Sequence, residues 1–190
     1  VPIPAFLSDE AYISIDVETS GPIPSQYAML SIGACTLGDP RKKFYIELKP
    51  DKEKYLSEAL AISNLSMERL FVEGTDPKIA MHNFAEWLMG VVPAGLRPLF
   101  VAFNAPFDWM FVSEYFINYL GYNPFGHAAL DIKSYFMGQE GVLWSQTGMW
   151  NIGGRYLKRK QLSHHALQDA IDQAEIFEKM LARSAREKPE

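Results

Sequence analysis

The chain has 190 residues, 48% of them apolar and 22% charged, enough to bury one full core of α/β size. Its net charge of −5 excludes a general duplex-coating protein, because non-specific affinity for nucleic acid rests on Lys and Arg neutralising phosphates. An enzyme whose acids gather divalent cations is not excluded, since the ions themselves reverse the local charge. The single cysteine, Cys35, lies in an apolar stretch and has no partner for an intramolecular disulfide, which fits a reducing compartment. No run approaches the roughly 18 to 20 apolar residues that span a bilayer, and Val1-Pro2-Ile3-Pro4 lacks the basic n-region of a signal peptide. The expectation is a cytoplasmic protein with no membrane association.

In chain order, Tyr12 to Glu18 predicts a strand that ends in a turn at Thr19-Ser20-Gly21. Alternation places Ile13, Ile15 and Val17 on one face and Ser14, Asp16 and Glu18 on the other. The two acids then stand roughly 6 to 7 Å apart between Cα atoms, at about 3.3 Å rise per residue. Such a pair is either the floor of a metal site or two solvated acids on a surface strand. Ala28 to Leu37 predicts a buried strand, Gly38-Asp39-Pro40 a turn, and Lys43 to Leu48 a return strand. Weak helical patches follow around Glu58 to Ile62 and Ser66 to Leu70. Thr75-Asp76-Pro77 opens a helix whose apolar face runs to about Met89.

Leu99 to Phe103 predicts a short strand, followed by a turn and a helix with Asp108 in its first turn, where a carboxylate also suits the helix dipole. The helix ends at Gly121. Ala128 to Ile132 predicts another strand, leading into Lys133 to Met137, with Asp131 as a cap or turn acid. Gly138 to Gly154 reads as a long loop or broken helix, and its Trp144 and Trp150 are either packing residues or flat faces on which bases stack. The basic run Arg155, Lys158, Arg159 and Lys160 is either nucleic-acid-facing or a solvated face. A last amphipathic helix covers about His165 to Arg183, with Asp169 near its start. This order predicts one α/β domain over 1–190, with its core at about 11–183 and a mixed five-stranded sheet flanked by helices.

Such a sheet can gather Asp16, Glu18, Asp108, His164 and Asp169 at one end of its strands. Hard oxygen ligands suit Mg²⁺ or Mn²⁺, paired cations suit an in-line displacement at phosphorus, and a histidine suits the activation of water. Asp16-Val17-Glu18-Thr19-Ser20-Gly21, Phe103-Asn104-Ala105-Pro106-Phe107-Asp108 and His164-His165-Ala166-Leu167-Gln168-Asp169-Ala170 resemble the three motifs of the DEDDh, or DnaQ-like, 3'-to-5' exonucleases. The resemblance runs from about Ile13 to Met180 and implies a ribonuclease H-like fold. It also implies two divalent ions, Mg²⁺ or Mn²⁺. Asp16, Glu18 and Asp169 would hold one ion, Asp16 would bridge to the second, and Asp108 would hold the water shell or the second ion. His164 matches the general base. Thr19 and Ser20 would receive the terminal nucleotide, Asn104 would contact substrate, and Phe107 would pack near the scissile end or in the core.

Within that family the chain is similar, in patches, to ribonuclease T, through Ile15 to Thr19 and Asn123-Pro124-Phe125. Phe103 stands where many members carry His. Ser63-Asn64 stand at the positions of a family His-Gly, and Asn there tolerates a left-handed turn. The implied activity is hydrolysis of phosphodiester bonds at the 3' end of single-stranded RNA or DNA, releasing nucleoside 5'-monophosphates, in a possible homodimer. The alternative is a binding or scaffold domain that kept the fold and lost turnover.

Overall fold

The computed structural model describes residues 10–157 and 163–186. The Val1–Pro4 start, and Lys158, Arg159 and Lys160 of the basic run, lie outside the described residues. Strand β1 (Ala11–Thr19) is central: it pairs antiparallel with β2 (Met29–Thr36), which pairs antiparallel with β3 (Lys43–Glu47). On its other side β1 pairs parallel with β4 (Pro98–Ala102), and β4 pairs parallel with β5 (Ala129–Asp131). The result is a five-stranded mixed sheet in the order β3-β2-β1-β4-β5.

The alternation in β1 sorts its side chains between two helical layers. Ile13, Ile15 and Val17 enter a core with Phe84 of α3 (Pro77–Val91) and Phe111 and Phe116 of α4 (Ala105–Leu120). The opposite face carries Ser14, Asp16 and Glu18, opposite Cys35, Gly33 and Ser31 of β2, which in turn stand opposite Lys43, Tyr45 and Glu47 of β3. Ser14 on that face is fully buried, while Asp16 and Glu18 stay partly exposed at its C-terminal end. Helix α7 (Ala166–Arg186) lies across it, and Ser14 Oγ donates to the Ala170 carbonyl at 2.8 Å. The surface-strand alternative therefore fails: an apolar stripe including Ile176, Phe177 and Met180 draws α7 onto the sheet and covers the polar side of β1.

Gly33 makes that approach possible. A Cβ built on it would stand 2.2 Å from the backbone carbon of Ala166 and the backbone nitrogen of Leu167, distances no side chain can occupy. The start of α7 therefore rests directly on the strand residue that faces Asp16.

Between β3 and α3 the sequence assigned little, yet two short helices form there, α1 (Ser57–Ser63) and α2 (Met67–Glu73). Their stability is tertiary: Met67 and Leu70 pack with Ala28 and Leu30. Asn64 closes α1 at φ 55°, so the left-handed turn expected of Asn in place of Gly is present. Asp131 is the predicted cap and serves two helices: Oδ1 accepts the Ala105 N–H at 3.0 Å at the start of α4, and Oδ2 accepts the Ser134 N–H at 2.9 Å in α5 (Ile132–Glu140). The 138–154 stretch is a broken helix: the end of α5, a 3-10 turn at Trp144–Gln146, and α6 (Met149–Tyr156). Among the described residues no helix is long and apolar enough to cross a membrane.

Gly33→Ala should force α7 off the sheet, costing about 1 to 3 kcal/mol or more, with turnover lost alongside stability. Thermal unfolding followed by circular dichroism checks it; an unchanged melting temperature would contradict the role given to this contact.

Candidate active site

Three elements bring four carboxylates close enough to interact electrostatically. Asp16 and Glu18 come from the C-terminal half of β1, Asp108 from the first turn of α4, and Asp169 from the first turn of α7. Asp108 does not simply face solvent at a helix start. It is 4% exposed, and its Oδ1 accepts the Val17 N–H at 3.0 Å, tying the second motif to the first across the sheet.

Asp169, 1% exposed, organises the loop before α7: Oδ1 accepts the Ser163 N–H at 2.6 Å and the Ser163 hydroxyl at 2.7 Å, and Oδ2 accepts the His164 N–H at 2.8 Å. These bonds hold His164 at φ 56°, a left-handed conformation that histidine tolerates better than most residues. The His164 side chain is exposed, and ligand atoms of Glu18, His164 and Asp169 lie within 4.8 Å of one another. Asp16 stands beside them on the same strand face. His165 takes no place in this group; its ring stacks on Tyr45 at 4.6 Å.

One buried residue escaped the sequence reading. Gln173 is fully buried on α7; its Nε2 donates to Asp16 Oδ1 at 2.7 Å and its Oε1 accepts the Phe103 N–H at 2.9 Å. It thus ties all three motif regions together. The available signal was its spacing, one helical turn after Asp169, which puts both side chains on one face.

The expected substrate-binding residues are differently placed. Thr19 Oγ1 donates to the Gly21 carbonyl at 2.8 Å. Ser20 Oγ donates to the Lys54 carbonyl at 2.8 Å and accepts the Ala28 N–H at 2.9 Å, so both hydroxyls have partners within the protein. Phe107 is partly buried against the main core, 5.5 Å from the Phe111 ring, whereas Asn104 is exposed at φ 65° before α4. Glu18, His164, His165, Ser63 to Leu65, Tyr45 and Arg69 border a pocket of about 240 Å³.

The electrostatics of the acids are unfavourable without counter-charge. Burial, followed by the charges of Asp108, Glu18 and Asp169, pushes the Asp16 carboxyl well above the usual range, against the pull of the Gln173 amide. Burial also raises Asp108, opposed chiefly by the Val17 N–H. Burial and then Asp169 push Glu18 up to about 7. Among the described residues, none of these four carboxylates forms an ion pair with Lys or Arg. Convergent oxygen donors short of positive charge fit a hard divalent cation.

Glu18 carries a folded pKa above its ordinary value of 4.5. Its neutral form therefore contributes stability below about pH 4.5, and that contribution is lost as pH rises through about 7. A divalent cation opposes the loss by favouring the ionised site. Millimolar Mg²⁺ should raise the melting temperature more at pH 8 than at pH 5.5, as read by thermal scans with and without EDTA; equal increments would contradict the electrostatic account.

No protein-family model matches the chain. An Escherichia coli protein named 3'-5' DNA exonuclease Cap18 is 48% identical over 168 residues, covering 88% of this chain and 90% of that protein. Among solved structures, the nuclease domain of 3'hExo, a DEDDh family member bound to rAMP, matches with a TM-score of 0.77 at 14% identity, over 93% of this chain and 94% of that one. Escherichia coli Exonuclease I in complex with a dT13 oligonucleotide matches with a TM-score of 0.72 at 14% identity, over 93% of this chain and 42% of that one. The divalent-metal dependence of DEDDh nucleases agrees with the donor set around Glu18, His164 and Asp169. With these likenesses added to the sheet order and the converging motifs, the chain belongs to the DEDDh family of 3'-to-5' exonucleases.

Proposed function

We propose that this exonuclease removes nucleoside 5'-monophosphates from the 3' end of single-stranded DNA, using two divalent ions, Mg²⁺ or Mn²⁺, in the cytoplasm. The observation that carries the reading is the approach of Glu18, His164 and Asp169 within 4.8 Å, beside an Asp16 short of counter-charge. The name of the 48% identical relative favours DNA over RNA. A homodimer is proposed from the family resemblance, and a single exonuclease domain over 1–190 from chain length and element order.

Asp16, Glu18 and Asp169 would hold one cation, and Asp16 with Asp108 a second. When bound, the cations supply positive charge to the attacking and leaving oxygens of an in-line displacement. The remaining work falls to the protein. An imidazole nitrogen of His164 takes a proton from the attacking water as its oxygen forms a bond to the last phosphorus. The bond from phosphorus to the 3' oxygen of the preceding nucleotide breaks, and that oxygen takes a proton from solvent water to leave a new 3' hydroxyl. Exposure suits His164 to returning its proton to solvent after each cycle. Gln173 keeps Asp16 aimed, and the turn at Thr19 and Ser20, with Asn104 and Phe107, frames the substrate end.

A time course on 5'-labelled single-stranded DNA and RNA of matched sequence tests this. A ladder shortening from the 3' end, stopped by EDTA and faster on DNA, is expected. His164→Ala should lower the rate by about 10² to 10⁴-fold, and Asp16→Ala should abolish it, both with folding nearly intact. Intact substrate under all conditions would move the chain to the binding-module alternative, and a faster rate on RNA would reverse the substrate assignment.

A further inference from the structure

On the β4–β5 side of the acids lies an aromatic surface that the hydrolytic site does not use. Leu143, Trp144 and Trp150 are 72%, 52% and 62% exposed, a concentration of large apolar side chains in one short stretch. Trp144 is held in a particular way. The Lys133 ammonium stands 4.2 Å from its ring centroid, and the same ammonium donates to Asn104 Oδ1 at 3.2 Å. Asn104 opens the helix that carries Asp108, and the next residue, Ala105, is bonded to Asp131 two residues before Lys133. A continuous line therefore leads from the acids through Asn104 and Lys133 to an exposed indole.

The sheet order gives this line a direction. The pocket of about 240 Å³ lies on the β3 side of β1, bounded by Tyr45, Arg69 and the Ser63–Leu65 turn, whereas Asn104 and Lys133, which lead to Trp144, stand just after β4 and β5. An enzyme that shortens a strand one unit at a time needs two unlike places beside the scissile bond: a bounded one for the end nucleotide and an open one for the chain that follows. The pocket is bounded and the Trp144 surface is open.

We propose that Trp144, Lys133 and Asn104 form a guide for the single strand upstream of the scissile bond. An unpaired base stacks on the indole, the Lys133 ammonium meets a backbone phosphate while still covering the ring, and Asn104 hands the strand to the acids. The ring explains tolerance of sequence, because every base offers a flat π-face, and the cation explains a preference for a polyanion over an apolar protein partner. The guide rests on the exonuclease reading above and adds to it a footprint longer than the nucleotide removed.

The test is steady-state hydrolysis, with Mg²⁺, of a thymidine trimer and a thymidine decamer of DNA by wild type, Trp144→Ala, Trp144→Phe and Lys133→Ala. In wild type, KM should be lower for the decamer. Trp144→Ala should raise the decamer KM about tenfold, with the loss falling on KM more than on kcat, and should erase the advantage of the decamer over the trimer. Trp144→Phe should restore most of it. Lys133→Ala should reduce the slope of log(kcat/KM) against log[salt] by about one. An unchanged decamer KM in Trp144→Ala, or an unchanged salt slope in Lys133→Ala, alongside normal wild-type cleavage, would overturn the guide. Failure of wild type to cleave either substrate would instead overturn the exonuclease reading beneath it. Equal circular dichroism spectra for all four proteins separate a lost strand contact from a lost fold.

Discussion

The site depends on one close contact, the start of α7 resting on Gly33 with no side chain between them. Gly33 faces Asp16 across the β1–β2 ladder, and a Cβ there would meet the Ala166 and Leu167 backbone at 2.2 Å. This contact brings the first turn of α7, with Asp169, onto the face that carries Asp16 and Glu18. Asp169 in turn holds Ser163 and His164 through its two oxygens. Remove the close approach and the third motif moves away from the first.

Bringing the acids together carries an electrostatic cost. Burial and mutual repulsion raise Asp16, Glu18 and Asp108 together, and the groups that oppose this are neutral donors: the Gln173 amide and the backbone N–H groups of Val17 and Asp108. Such donors fix the direction of a carboxylate without cancelling its charge. The fold thus holds the acids in place and leaves the neutralising role to divalent cations, which is how a protein of net charge −5 can accept a phosphodiester.

Much of this was legible in the chain, and the limits have physical causes. The alternation of β1, the strand and helix order and the three motifs are local patterns, so the sheet and the carboxylates could be anticipated from Tyr12 to Glu18 and from the spacing of His164 to Asp169. Burial of the polar face of β1 was not legible, because it depends on where α7 packs. Gln173 was missed for the same reason: its partner, Asp16, is 157 residues away. Helices α1 and α2 have weak local signals because Met67 and Leu70 are stabilised by Ala28 and Leu30 from another part of the chain. At Ser20 a motif position suggests substrate contact, but nothing in the sequence signals that its hydroxyl bonds the Lys54 carbonyl and the Ala28 N–H.

The most direct test of the central claim, that raised and crowded carboxylates are assembled to receive divalent cations, is a calorimetric titration of the nucleic-acid-free protein with Mn²⁺ at about pH 6.5 in buffers of different ionisation enthalpy. The account predicts two ions per chain, with protons released on binding because burial raises Asp16, Glu18 and Asp108 in the free protein. Absence of saturable binding, or binding with no release of protons, would contradict it.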